Sequence, residues 1–443
     1  MQDGTTSVSR STRRQFLRTV GAAGLGVLGA ACAGEPRSAA PVAGAPADVV
    51  RIGYVSPETG PLAAFGAADR FVVGALAEHF AANPIEVGGR PHRVEIVTRD
   101  SQSDANRAAD VATGLVLADG VHLMLVSGTS DTANAVADQC EAAGVPCVAT
   151  AIPWQSWIYG RGGRPDAGFA WTYLFGWGLE DVQAVYADMW DQIATNRTVG
   201  ALWANDTDGL TWGNPEAGLP AAIAQRGYTL VGPGNYVRGT RDFTPQIREF
   251  RDAGAEVLLG ACGPADFTAF WRQAVEQGYR PKIATIGKGI HVPATVAEIG
   301  PSAVNLATEV GWSPNHPFTS SLTGQSAADL AAAFTAATGA AWAQPIGFAH
   351  ALFEVAVAAL VAAGSVEDRR GIADALAALR LDTVVGPLDF AAGPARGVAT
   401  IPLVGGQWRP GQSAPYELVV VSNARHPQIP VGGAVEPLRG PVR

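Results

Sequence analysis

The chain has 443 residues, of which 47% are hydrophobic and 16% charged, with 53 glycines, 30 prolines and a formal net charge of -9. That length and apolar content predict two or three globular units with ample core, and the acidic balance argues against nucleic acid or an anionic membrane surface as partner. The four cysteines (Cys32, Cys140, Cys147 and Cys262) form no C-x-x-C pair, and the seven histidines show no zinc-ligand spacing.

The chain opens on a targeting pattern. Thr12-Arg13-Arg14-Gln15-Phe16-Leu17-Arg18 precedes an apolar run from Val20 to Ala31 that stops at Cys32. A dozen apolar residues cannot span a bilayer, which needs about 20. A basic stretch, a short apolar stretch and small residues before a cut site together make an export signal. Arg13 and Arg14 followed by Phe-Leu resemble the bacterial twin-arginine signal, which exports folded proteins. Gly29-Ala30-Ala31-Cys32 resembles a lipobox, whose cysteine is acylated after cleavage. The usual aliphatic residue is displaced by one position, to Leu28. Residues 1–32 are therefore expected to be a twin-arginine lipoprotein signal and 33–48 a flexible linker. The protein would sit exported on the outer face of the cytoplasmic membrane, anchored only by lipid at Cys32; the alternative is a plain secretory signal cut nearby. Gly24, Gly26 and Gly29 fit G-x-G-x-x-G, but no strand precedes them and a Pro/Ala-rich segment follows, so a dinucleotide site is excluded.

From Val49 onward strands and helices alternate. "VVRIGYVS" predicts a buried strand, residues 69–83 a helix with Phe71, Ala75, Leu76, His79 and Phe80 on one face, and "RVEIVTRD" a strand. A helix capped by Ser103-Asp104 and stopped at Gly120 follows, then strands "VHLMLVSG" and "VPCVATA" around another helix. The same grammar restarts at "RTVGALWAND" and closes on "KIATIGKG". Such alternation predicts an α/β fold with two doubly wound parallel-sheet lobes. Ligands of such sheets bind beyond the carboxyl ends of the strands. Those ends fall at 127–132, 151–154, 205–209, 260–263 and 288–291. Within them lie Thr129, Ser130, Ala151, Trp154, Asp208, Cys262 and Lys288.

Lys288 is conspicuous: the chain has only two lysines, and this one stands between Gly287 and Gly289. It lacks the upstream glycine and following Ser/Thr of a phosphate loop. No nucleophile elbow or H-E-x-x-H occurs either. The chain reads as a binding protein with no cofactor or metal, and not as an enzyme. Eleven tryptophans are present, with Trp154 and Trp157 near one strand-end loop and Trp203 and Trp212 near another, suited to aromatic walls.

A family resemblance rests on "IGYVSPETGPLAAFG" (52–66), "VEIVTRDSQSDANRAADVATGLVLADGV" (94–121), "EAAGVPCVATA" (141–151), "FAHALFEVAVAALVAAG" (348–364) and "LDTVVGPLDF" (381–390). These stretches resemble the branched-chain amino-acid binding proteins of ABC importers, which have the type I periplasmic binding protein fold. The resemblance implies two lobes joined by three crossovers and closing on a small solute. Residues 49–172 plus 306–384 would form lobe 1, residues 173–305 plus 385–425 lobe 2, and 426–443 a tail. The hinge would lie near 171–173, 305–310 and 383–387. It also implies a monomer that docks on the membrane permease subunits of an importer.

Carried over onto this sequence, the family's site places Phe65 over the ligand side chain, Ser130 with Thr129 on its carboxylate, and Ala151 as a main-chain contact. Pro153 stands where a threonine is expected, and Asp208 and Cys262 where tyrosines are. Lys288 falls near an acidic residue that grips an ammonium in amino-acid binders. A cation there would repel an ammonium by on the order of 1–4 kcal/mol. The expected ligand is therefore a carboxylate with an aromatic or branched body, held by Lys288, Ser130 and the tryptophans. If Asp208 or Asp131 held an ammonium, the protein would be an amino-acid or amide binder. A ligand-sensing module on the same fold is the remaining alternative. Whether Cys140 and Cys147 are bonded is open. Replacing Arg13 and Arg14 by lysine should leave unprocessed precursor in the cytosol, and Cys32→Ser should release the protein from the membrane fraction. Retention on the membrane without Cys32 would rule out the lipid anchor.

Overall fold

The computed structural model describes residues 48–412 and 414–439. The signal residues Arg13, Arg14 and Cys32 lie outside the described residues. The chain enters with β1 (Asp48–Ser56), β2 (Ile85–Val87), β3 (Arg90–Asp100), β4 (Leu123–Val126), β5 (Cys147–Pro153) and β6 (Thr172–Trp177). It then builds β7 (Thr198–Ala204), β8 (Thr229–Val231), β9 (Asn235–Tyr236), β10 (Val257–Ala261), β11 (Ile283–Gly287) and β12 (Ala307–Val310). It returns for β13 (Arg380–Thr383), β14 (Gly386–Asp389) and β15 (Val398–Thr400), and ends with β16 (Val404–Pro410) and β17 (Tyr416–Ser422).

Two sheets result. The first runs β15-β6-β5-β4-β1-β3-β2 and the second β17-β16-β12-β11-β10-β7-β8, with β13 and β14 a separate hairpin. Parallel pairing dominates both, and antiparallel strands stand only at edges: β2 on β3, and β16 and β17 beyond β12. Strands covered by helices on both faces read as unbroken apolar runs. Every residue of β4, β10 and β11 is buried, as that rule requires.

Helix ends follow local chemistry. Asp104 accepts from the Arg107 amide at the start of Ala105–Leu117, and Gly144 takes φ 64° to stop Ser130–Ala143. The first helix begins at Ala63, six residues before the expected start, and buries Ala68, Asp69, Val72, Leu76 and Phe80. The acid that looks like a helix opener is thus interior. Helix Pro345–Ala363 is apolar on all sides, with mean hydropathy 2.0. Long enough to cross a membrane, it is instead packed between other elements as a core helix, 72% buried over that stretch.

The lobe boundaries differ from expectation. β6 pairs with β5, so the first lobe runs to Trp177 instead of residue 172. β12 pairs with β11 and β16, so the second lobe keeps Val310. β15 pairs with β6, so the chain stays in the first lobe to Thr400. The three crossovers therefore fall at Gly178, Gly311 and 401–403, each just past the end of a strand. The expected hinges at 171–173, 305–310 and 383–387 lie on or beside strand pairings: a chain leaves a parallel sheet only after its last ladder bond. The supposed tail also packs. Asn305 donates to the Pro437 carbonyl at 2.7 Å, and the Leu438 amide donates to Lys282 O at 2.8 Å. Cys140 and Cys147 are free, buried thiols. Their contact and their burial push the Cys140 thiol well above its ordinary pKa.

One crossover is packed to its limit. A Cβ on Gly347 would lie 2.3 Å from the Trp312 indole, just after the Gly311 crossing. Trp312 is fully buried. Gly347→Ala is expected to cost about 1–3 kcal/mol through overpacking, read as a lower urea midpoint at unchanged slope.

Candidate functional site

The carboxyl ends of both sheets face one shared cavity. From the first lobe come Phe65, in the first turn of helix Ala63–Ala82, and Ser127, Gly128 and Thr129 between β4 and the next helix. Ala151, Ile152 and Pro153 of β5 and Trp177 at the tip of β6 complete that wall, with Gln344 and Phe348 at the core helix. The second lobe supplies Asp208 and Trp212 of helix Thr207–Trp212, Lys288 and His291 after β11, and Glu309 within β12.

Two residues in this wall, one from each lobe, hold a left-handed backbone: Ala151 at φ 64° and Lys288 at φ 62°. For a residue with a Cβ that costs on the order of 1–3 kcal/mol and persists only where surroundings enforce it. At Ala151 the ladder between β5 and β6 breaks from Thr150 to Pro153, which turns the strand into the cavity. At Lys288 the Gly289 amide donates to Gly287 O at 2.6 Å, closing a tight three-residue turn around the lysine. The flanking glycines are required by space. A Cβ on Gly287 would meet Trp212 at 2.5 Å, and one on Gly289 would meet Cys262 O at 3.1 Å.

That turn aims the lysine at carboxylates. Lys288 Nζ lies 2.8 Å from Asp206 Oδ2 and 3.0 Å from Asp208 Oδ2. Burial opposes its charge, but Asp208 and Asp206 outweigh burial and raise its pKa well above the ordinary value. The ammonium is thus permanently charged and already paired. Asp208 Oδ1 accepts from the Ser130 hydroxyl across the cleft at 2.5 Å. Beside it Asp131 accepts from Thr207 Oγ1 at 2.5 Å and pairs with Arg238 at 3.1 Å, again across the cleft. A second cluster surrounds Glu309, which contacts His291 Nε2 at 2.9 Å and accepts from the Tyr186 hydroxyl and from Thr308 at 3.1 Å. The indole N–H groups of Trp177 and Trp212, both almost fully buried in the cavity wall, have no partner among the described residues.

The sequence-derived residues divide. Phe65, Thr129, Ala151, Asp208 and Lys288 line the cavity, and Ser130 stands behind Thr129 with its hydroxyl on Asp208. Trp154 and Cys262 do not line it. Trp154 donates to Glu180 Oε1 at 2.8 Å outside the cavity, and Cys262 is wholly buried beneath the Gly289 turn. Trp157 is core, under the Arg161 guanidinium at 4.3 Å, and Trp203 is buried. Trp177, Phe348, Gln344 and Glu309 were missed. Trp177 ends β6, past the expected end of the first lobe at residue 172. Glu309 had a signal: an acid inside the apolar run "LATEV".

Two parallel-sheet lobes with three crossovers and a shared cavity between their strand ends have the architecture of a solute-binding protein. The chain belongs to the periplasmic binding protein family, whose profile matches residues 49–412. That family is one of solute-binding receptors and not enzymes, and the chain shares its type I fold with branched-chain amino-acid binding proteins. Among similar proteins is a Leu/Ile/Val-binding protein homolog of Brucella abortus, 24% identical over 270 residues. That match spans 59% of this chain and 65% of the Brucella protein. A leucine-binding protein of Thermotoga maritima superposes with TM-score 0.70 at 19% identity, covering 85% of this chain and 99% of that one. A Rhodopseudomonas palustris solute-binding protein in complex with 4-hydroxybenzoate superposes with TM-score 0.68 at 17% identity, covering 85% and 96%. The structural likenesses establish the shared fold.

Removing one partner of a buried ion pair leaves an uncompensated charge and costs about 3–5 kcal/mol. Lys288→Met is therefore expected to lower stability by about 3 kcal/mol in urea denaturation. Adding Asp206→Asn and Asp208→Asn should recover much of the loss. A neutral effect of Lys288→Met would show that the triad does not organise the second lobe.

Proposed function

We propose that this protein is an extracytoplasmic solute receptor of an ABC importer that captures a small α-amino acid with an apolar or aromatic side chain. The carrying observation is the charge balance of the cavity. The Lys288 ammonium is already held by Asp206 and Asp208, and a third acid, Glu309, lines the same cavity beside His291. A ligand ammonium placed there gains on the order of 1–4 kcal/mol. That reverses the electrostatic reason for expecting a carboxylate gripped by Lys288. Beside these acids Ser127, Gly128 and Thr129 lead into helix Ser130–Ala143, whose first amides and dipole favour a carboxylate. Phe65, Trp177 and Phe348 offer an apolar wall to the ligand's side chain. Membership of the binding-protein family supports delivery to permease subunits, and the amino-terminal pattern supports export with a lipid anchor at Cys32.

A second reading has its own support: the unpartnered N–H groups of Trp177 and Trp212 suit an oxygen-rich aromatic acid, and the Rhodopseudomonas palustris relative is in complex with 4-hydroxybenzoate. Calorimetry with leucine, phenylalanine and 4-hydroxybenzoate separates the two. The amino acids should bind, and Glu309→Gln should weaken them by about 30-fold, the equivalent of about 2 kcal/mol lost from a buried charge pair. Tight binding of 4-hydroxybenzoate with no binding of either amino acid would overturn the amino-acid reading.

A further inference from the structure

The two lobes also meet outside the ligand cavity. Helix Ser130–Ala143 of the first lobe and helix Thr207–Trp212 of the second touch at their amino-terminal residues. Two such ends carry unsatisfied N–H groups and like partial charges, so bare they repel. Each helix instead offers its first-turn acid to the other. Asp208 accepts from the Ser130 hydroxyl at 2.5 Å, and Asp131 accepts from the Thr207 amide at 3.2 Å and the Thr207 hydroxyl at 2.5 Å. The second Asp131 oxygen pairs with Arg238, just after β9, at 3.1 Å.

Asp131 gives nothing to its own lobe. At the start of helix Ser130–Ala143 the Thr129 amide donates to the Thr132 hydroxyl at 3.2 Å, and at the start of helix Thr207–Trp212 Asp206 accepts from the Gly209 amide at 2.8 Å. Neither helix thus depends on Asp131 for a local cap. Among the described residues, every hydrogen bond and ion pair of its carboxylate runs to the second lobe. Asp131, Thr207 and Arg238 line a polar recess with Asn134 and Gly160, and none of them lines the ligand cavity. Contact across this recess is close: a Cβ on Gly160 of the first lobe would lie 2.7 Å from the Thr207 methyl of the second.

An acid whose partners all lie across the cleft favours only the closed form, because water takes over its oxygens once the lobes part. We propose that Asp131 is a positioning residue for lobe closure: with Thr207 and Arg238 it forms a latch beside the cavity that favours the closed form by the same amount whichever solute lies between the lobes. A ligand enclosed by both lobes binds with its intrinsic affinity multiplied by the fraction of protein in the competent form. Side chains in the cavity wall therefore choose the solute, and Asp131 scales the affinity for all solutes alike. This rests on the reading that the cavity takes a solute between the lobes. Asp131 is 23% exposed and Arg238 60%, so the ion pair is screened and the two bonds to Thr207 carry most of the effect.

The test is calorimetry with leucine, phenylalanine and 4-hydroxybenzoate on the wild type, Asp131→Ala, Asp131→Asn and Arg238→Ala, with small-angle scattering of each protein before ligand is added. Asp131→Ala should weaken every compound that binds by one common factor of about tenfold, the effect of losing hydrogen bonds to a charged acceptor. Arg238→Ala should weaken them by about two- to fivefold, as an exposed pair does. Asp131→Asn keeps an oxygen for Thr207 and should fall between wild type and Asp131→Ala. Without ligand, Asp131→Ala should have the larger radius of gyration. Unchanged affinity in Asp131→Ala overturns the proposal, as does a loss that differs by more than about threefold between compounds, which would place Asp131 on the ligand. Arg238→Ala decides by the same criteria if Asp131→Ala fails to fold. Uniform weakening supports the latch whichever compounds bind, so a failure of the amino-acid reading alone leaves it standing. If none of the three binds the wild type, the ligand reading has failed and the radius decides: an unchanged radius in Asp131→Ala then overturns the latch.

Discussion

A single ammonium held between two carboxylates organises the ligand-facing side of this protein. Lys288 reaches Asp206 and Asp208 from a turn that its two glycine neighbours alone make possible. The two acids leave the end of β7 and the lysine leaves the end of β11, with β10 between them in the sheet. The ion cluster thus ties together loops that the ladder does not join. Buried charges of this kind are costly singly and tolerable only together. The loop conformations, including a strained lysine backbone, are therefore locked by the pairing they create.

The same cluster carries the link between lobes. Asp208 uses one oxygen on Lys288 and the other on Ser130 of the opposite lobe, and Asp131 answers with Thr207 and Arg238. These are short polar contacts at the cleft, where water competes when the lobes separate. The crossovers at Gly178, Gly311 and 401–403 follow the carboxyl ends of β6, β12 and β15, the ends that face the cavity, and are braced by packing. Gln344 accepts from the Gly311 amide at 2.9 Å and donates to Glu309 O at 3.1 Å, so one amide side chain connects a crossover to the cavity wall.

Charge balance at this site is a collective quantity. Lys288 in isolation argues for an anionic ligand; Lys288 held by Asp206 and Asp208, with Glu309 and His291 paired in the same cavity wall, no longer does. An ion's influence on a ligand depends on what already neutralises it, and the neutralising groups here come from separate strands.

The amino-acid sequence by itself determined the alternation of strands and helices, the parallel sheets, the position of the strand-end loops and the family. These follow from local patterns: apolar runs of strand length, capping residues such as Asp104, and stops such as Gly144. It also placed Thr129, Ala151, Asp208 and Lys288 at the cavity, because strand ends are visible in one dimension, and Phe65 through the family resemblance. Only the tertiary structure decided which sheet each strand joins, so that Trp177 and Glu309 came to light as cavity residues and Trp154 and Cys262 dropped out. It alone revealed that Lys288 is neutralised and that Asp69 is buried, although the one looks like a free cation and the other like a helix opener. Pairing partners far apart in the chain set both outcomes, and no window of neighbouring residues contains them.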